Sequence, residues 1–259
     1  MVLARAKHEL PGVAPGNGDL GVMLPYTSLH HLLFHFGVPP VLVMTSGNRS
    51  GIPMVYRGED ALEVLGSVAD ALLIGERAIA RRVDDSVVRL TAAGPVMIRR
   101  AREYAPRFVA RLPAEGPVLA LGGNLKSAVA LVVDGRALFS EHLGDLETCE
   151  AQVAFEAAVE ARLSMDGVSK TELIVAFDCH PDYRSAQFAE TLPARRRVPL
   201  QHHRTYIAGV LAEREAPEAR VVAGGVFQNA VLLEALKAAL EAHGVPLWGP
   251  RAVPPNDGG

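Results

Sequence analysis

The sequence predicts an α/β protein built from two units. Apolar strand-like runs alternate with stretches of helical apolar spacing, which is the α/β signature. An Asp134-Gly135 pair sits between two short apolar runs, RLPAEGP (Arg111 to Pro117) reads as a linker, and the pattern restarts at Val118. With 259 residues, 49% hydrophobic and 21% charged, the chain can bury a sizeable core, which excludes a disordered polymer. Its net charge of -3 argues against a purely electrostatic nucleic-acid partner. Two cysteines, Cys149 and Cys179, cannot build a disulfide framework or a four-cysteine zinc site. No apolar run approaches the ~18–20 residues of a membrane span. The opening MVLARAKHELPG lacks the apolar stretch of a signal peptide, so no membrane contact and a reducing cytoplasmic setting are expected.

The elements follow in order. The first ~25 residues are rich in Pro and Gly and read as loop. Leu29, Leu32, Leu33 and Phe36 recur at helical spacing behind Thr27, so TSLHHLLFHF is a helix ended by Gly37 and Pro39-Pro40. VLVMT (Val41 to Thr45) reads as a buried strand, EDALEVLGS as a helix and DALLIG as a strand. DDSVVRL and PVMIRRA form a hairpin that closes the first unit near residue 110. In the second unit, VLALGG is a strand and SAVALVVDGRALFS is a hairpin, because Asp-Gly suits the positive φ angles of a type I′ turn. ETCEAQVAFEAAVEARL is a helix, ELIVAFD a buried strand, RSAQFAETL a helix and RVPLQ a strand. A helix runs from about His203 to Arg214. ARVVAGG is a strand, VFQNAVLLEALKAALEAHG a helix and VPLW a last strand.

Several groupings could carry chemistry. TSGNRSG places Ser46 and Asn48 at the carboxyl end of an expected strand, where open α/β sheets bind ligands; an ordinary polar turn fits as well. Arg81, Arg82, Asp84 and Asp85, then Arg99, Arg100 and Arg102, suit phosphate or carboxylate recognition, or a solvated salt-bridged edge. An RNA-contacting patch is a third reading, weakened by the interleaved acids. LALGGNLKS offers Gly122, Gly123 and Lys126 as a phosphate loop that is not a P-loop, or as a plain hairpin turn. AGGVFQN places Gly224, Gly225 and Asn229 at a helix start, where free amides favour an anion. His202, His203, Tyr206, Asp178, His180 and Asp257 form a polar set. His202 and Tyr206 are four apart, a workable metal spacing with a distant carboxylate, or a strand-end cap.

Taken in order, LPYTSLHHLLF, VMTSGNRSG, DDSVVR, IRRAREYAP, LALGGNLKS, EHLGDLE, FDCHPDY, QHH, AGGVFQN and VPPNDGG closely resemble the HypF family of [NiFe]-hydrogenase maturation carbamoyltransferases. The resemblance runs over nearly the whole chain. It implies the C-terminal half of a YrdC-like α/β domain over residues 1–110, a linker at 111–117, and an incomplete actin/hexokinase-like (ASKHA-type) α/β domain over 118–259. The implied activity cleaves carbamoyl phosphate and uses ATP to form carbamoyl-adenylate. The carbamoyl group then passes to the C-terminal cysteine of a HypE-type partner, on the way to a cyanide ligand.

Residue by residue, the resemblance makes Ser46 and Asn48 the SxN pair that contacts nucleotide and acyl group, and Arg99 and Arg102 contacts to phosphate or carbamate. Gly122, Gly123 and Lys126 match a first phosphate loop, and Gly224, Gly225 and Asn229 a nucleotide loop. His202 and Asp257 match ligands of a divalent metal, Mg or of Fe/Zn type. Departures are expected to matter. The acylphosphatase and zinc-finger modules, a KxR motif and a DGxGYG-like loop have no counterpart here, so no zinc finger is expected. HHRTYIA stands where the family has an HHHAHIA-like run, which aligns Tyr206 with the second histidine. The chain is therefore expected to be a truncated, internally deleted member. The alternative to an active enzyme is a catalytically incomplete piece that binds only nucleotide or, less in keeping with its charge, double-stranded RNA.

Overall fold

The computed structural model describes residues 1–49, 52–91, 94–213, 230–244 and 247. They form two sheets, one in each half of the chain.

The first sheet has four short strands: β1 (Val2–Arg5), β2 (Asp19–Val22), β3 (Val87–Thr91) and β4 (Gly94–Arg99). Their order is β2-β1-β3-β4. β1 runs antiparallel to β2 and parallel to β3, and β3 and β4 make the expected hairpin. The opening segment is thus not all loop: its two strands bracket the Pro/Gly-rich turn. Helix α1 (Ser28–His35) forms where Thr27 caps it, the threonine hydroxyl accepting from the His30 N–H at 3.1 Å. It stops at Gly37, whose φ of +87° suits a residue without a side chain. Helix α2 spans Gly58–Leu65.

VLVMT and DALLIG differ from expectation. Both lie in neither sheet, and Val43 and Leu73 are 75% and 78% exposed. An apolar run is a strand only when a neighbour supplies the ladder, and none does among the described residues.

The second sheet contains β5 (Phe108–Arg111), β6 (Val118–Ala120), β7 (Ala130–Val133), β8 (Arg136–Phe139), β9 (Ile174–Asp178) and β10 (Arg196–Leu200), ordered β10-β9-β6-β7-β8-β5. β6, β7 and β8 form an antiparallel meander, and β9 and β10 continue parallel on the other side of β6. Asp134 and Gly135 have φ of +51° and +71°, as a type I′ turn requires. β5 pairs with β8, Arg111 opposite Arg136, so the first residue expected of the linker is the last residue of an edge strand.

Helix α3 (Cys149–Met165) connects β8 to β9, and α4 (Arg184–Thr191) connects β9 to β10. Thr148 caps α3. Its end is a Schellman motif: Gly167 N–H donates to Ser164 and Val168 N–H to Leu163. α3 buries Ala151, Phe155, Val159 and Leu163, an i, i+4, i+8, i+12 stripe, against Leu119, Leu131, Leu146 and Val175 of the core. α5 (His202–Glu213) starts directly after β10, and α6 (Ala230–Glu241) is the described part of the last expected helix. The expected strands ARVVAGG and VPLW fall outside the described residues, Leu247 apart. Among the described residues no helix is long and apolar enough to cross a membrane.

Candidate active site: two cavities

The carboxyl ends of β6, β9 and β10 meet because these three strands are parallel and adjacent. The turn after β6 brings Gly122 and Gly123, β9 ends on Asp178, and α5 begins on His202. All four line one small cavity of about 130 Å³, together with Thr205 and Tyr206. Gly122 is required there: its φ is +34°, and a Cβ would lie 2.5 Å from the Ala128 carbonyl oxygen. The turn is held from α4, since Ser185 donates to the Gly122 carbonyl at 3.0 Å and the Arg184 N–H to the Asn124 side chain at 3.0 Å. Lys126 does not line this cavity. It is exposed, at φ +51°, with its N–H on Asp145 Oδ1 at 2.6 Å.

His202 is held at both nitrogens. Nδ1 lies 2.8 Å from Asp178 Oδ2 and Nε2 lies 3.0 Å from Tyr206 Oη. Asp178 as acceptor fixes the proton on Nδ1, so Nε2 accepts from the phenol. The i, i+4 spacing of an early-starting helix therefore brings His202 and Tyr206 onto one face, as expected. A carboxylate behind Nδ1 is also how proteins orient a metal-ligating imidazole. Among the described residues no group of three or more His, Cys, Asp and Glu side chains is placed to hold a metal ion. Asp257, Gly224, Gly225 and Asn229 lie outside the described residues.

The second cavity is a cleft of about 860 Å³ between the lobes. The first lobe contributes Ser46, Asn48, Arg81, Arg82, Asp84 and Arg99, and the second contributes Glu141, His142, Asp145 and the alanine-rich face of α3. Ser46 donates to Asn48 Oδ1 at 2.5 Å, and the Asn48 amide donates to the Arg49 and Ile52 carbonyls, both at 3.0 Å. Asn48 thus shapes the loop with both amide hydrogens, while the Ser46 hydroxyl oxygen keeps lone pairs for a ligand. Arg99 reaches Asp84 at 3.6 Å and remains in the cleft wall.

Arg102 is elsewhere. It donates to Tyr26 Oη at 2.9 Å and to the Val83 carbonyl at 2.8 Å, and faces Asp85 at 3.8 Å. Burial first, then Asp85, raises the Tyr26 phenol above its ordinary pKa, which keeps it a donor. Arg102 therefore braces the end of the hairpin. The reason sequence cannot separate it from Arg99 is geometric. Arg99 ends β4, and three residues on the chain has left the strand: the Arg102 N–H bonds the Asp84 carbonyl.

Residue reasoning gave no role to Glu141, His142 and Asp145, although EHLGDLE stands out as a string. This segment joins the lobes. Arg81 meets the buried Glu141 carboxylate at 3.6 Å, and the His142 N–H donates to the Arg100 carbonyl at 2.8 Å. Desolvation, followed by the Arg99 charge, lowers the His142 pKa to about 4.

Comparison with known proteins decides the family. Residues 113–213 match the family model of the HypF Kae1-like domain, and residues 1–101 match that of the Sua5/YciO/YrdC type, described as telomere recombination. The carbamoyltransferase HypF of Rhodobacter capsulatus is 42% identical over 227 residues, 84% of this chain. The chain belongs to the HypF family. HypF2 of Cupriavidus necator is 44% identical over 80% of this chain. A crystal structure of full-length HypF in the phosphate- and nucleotide-bound form superposes with a TM-score of 0.79 at 36% identity, covering 86% of this chain and 35% of that one. T. kodakarensis HypF gives a TM-score of 0.75 at 34% identity, covering 83% of this chain and 28% of that one. The chain spans about 30% of the length of the curated HypF relatives it matches (30% and 28% for these two). The expected pairing of a YrdC-like part with a HypF-type part is therefore correct.

Proposed function

We propose that this HypF-family chain forms carbamoyl-adenylate from ATP and the carbamate released from carbamoyl phosphate, and passes the carbamoyl group to the C-terminal cysteine of a HypE-type partner for cyanide ligand synthesis. One observation carries the reading: the Ser46 hydroxyl and the guanidiniums of Arg81, Arg82 and Arg99 share a single cleft large enough for a nucleotide. Carbamate is a poor electrophile, so its oxygen must first attack the α-phosphorus of ATP and expel pyrophosphate. The guanidiniums offset the negative charge that two anionic reactants bring together, and the cleft holds them in line. That a relative's structure was solved with phosphate and nucleotide bound adds support.

A divalent metal, Mg or of Fe/Zn type, belongs to the same reading. His202, oriented by Asp178, would offer Nε2, with Tyr206 and Asp257 as further donors. When bound, the metal would neutralise nucleotide phosphate charge beside Gly122 and Gly123.

The test is ATP–pyrophosphate exchange by the full chain, with carbamoyl phosphate or with carbamate supplied directly. Exchange that disappears in Ser46→Ala is expected. A second reading, nucleotide binding without turnover, draws on the Tyr206 hydroxyl occupying the lone pair of His202. ATP binding without any exchange would establish it and overturn the first.

A further inference from the structure

We propose that His142 is the residue that recognises the carbamoyl amide, contributed by the second lobe to the cleft whose nucleotide-facing wall comes from the first. This rests on the adenylate reading of that cleft. The cleft is chemically lopsided. Its first-lobe wall carries Arg81, Arg82 and Arg99, which donate hydrogen bonds and cannot accept them. That wall suits phosphate and the carbamoyl carbonyl; its carboxylate, Asp84, faces Arg99 at 3.6 Å, and its Tyr56 ring lies under Arg57 and Arg82, while a carbamoyl –NH2 must donate.

Further acceptors stand opposite, on the Glu141–Asp145 segment. Glu141 is buried and turned to Arg81, and Asp145, an exposed residue, accepts the Lys126 N–H at Oδ1. His142 lies between them in the same cleft wall. Its backbone is fixed by the bond from its N–H to Arg100, next to Arg99, and by the return of Leu143 N–H to the Ser127 carbonyl at 2.7 Å. The charges of Arg99, Asp84, Asp145 and Lys126 act on the ring, and it is neutral at neutral pH because burial, followed by Arg99, disfavours its charged form. A neutral imidazole has one lone pair and one N–H. It can therefore accept from an acyl –NH2, whereas an imidazolium cannot. An acyl group with a methyl or a carbonate oxygen in that place has no hydrogen to give, and would leave the ring's lone pair buried and unmatched. Such a mismatch discriminates more strongly than size does.

The experiment titrates the full chain by calorimetry with two stable adenylate mimics, 5′-O-(N-carbamoylsulfamoyl)adenosine and 5′-O-(N-acetylsulfamoyl)adenosine, which differ by NH2 against CH3. The native chain should bind the carbamoyl mimic at least tenfold more tightly. His142→Ala should reduce that preference to twofold or less with ATP affinity unchanged, and His142→Asn, which restores an acceptor, should recover part of it. A preference that survives His142→Ala overturns the inference and leaves the adenylate reading intact. So does parallel loss of ATP and both mimics in His142→Ala and His142→Asn, which marks a structural role. Failure of the native chain to bind either mimic or ATP overturns the adenylate reading itself.

Discussion

The two lobes are made from similar amino acids and use them differently. The main apolar cluster lies between Leu119 and Leu192, where α3 and α4 close over a six-stranded sheet. In the first lobe, large apolar side chains such as Phe36 (80% exposed), Val43 and Leu73 remain at the surface. Burial requires a second layer, and hydrophobicity alone does not supply one. The lesson extends to the sites. The small cavity is built on strand ends fixed by a packed core, whereas the cleft depends on two polar links between lobes, Arg81 with Glu141 and His142 with Arg100.

The largest expected effect tests the core itself. Phe155→Ala empties a position 2% exposed and in edge-to-face contact with Phe188, and should cost about 3–5 kcal/mol in urea unfolding. The same truncation at exposed Phe36 should change stability by no more than about 0.5 kcal/mol. Equal losses would erase the contrast between the lobes. Gly122→Ala is next. The new Cβ meets a backbone carbonyl that cannot swing aside, so a loss of about 2–3 kcal/mol is expected, at the upper end of local strain, together with weaker ATP binding by calorimetry.

The link between lobes should respond to acid. His142 has a folded pKa near 4, below the ordinary 6.5, so the unfolded chain takes up its proton first as pH falls. Its contribution is complete above about pH 6.5 and is lost as pH falls towards 4. A fall of about 2 kcal/mol between pH 7 and pH 5, absent in His142→Asn, is the expected result of urea melts at the two pH values. The smallest effect separates two arginines. Arg102→Ala should cost about 1 kcal/mol by removing its bonds to Tyr26 and Val83, while Arg99→Ala should leave stability nearly unchanged and weaken adenylate-mimic binding. Reversed roles would show that the wrong guanidinium faces the ligand.

Much of this was legible in the sequence for local reasons. Thr27 caps a helix through its own hydroxyl, Asp134-Gly135 turns a hairpin, and β9 is a dense apolar run between helices. The order of short strings was enough to reach the family, and the i, i+4 relation of His202 and Tyr206 was enough to pair them. The failures share one cause. VLVMT and DALLIG have the composition of strands, and β1 and β2 flank a Pro/Gly-rich stretch that reads as loop. Whether a short segment joins a sheet depends on a partner far away in the chain.

The sequence by itself determined the helices, the hairpins and the family, because caps, turns and ordered strings act over a few residues. Tertiary structure decided which chemistry shares a cavity. Gly122 meets His202 only because β6, β9 and β10 are parallel neighbours, Arg99 and Arg102 part because the chain leaves β4 between them, and His142 reaches the cleft only because the lobes touch along Glu141 to Asp145. Those contacts are set by sheet order and lobe packing, which no short window of sequence contains.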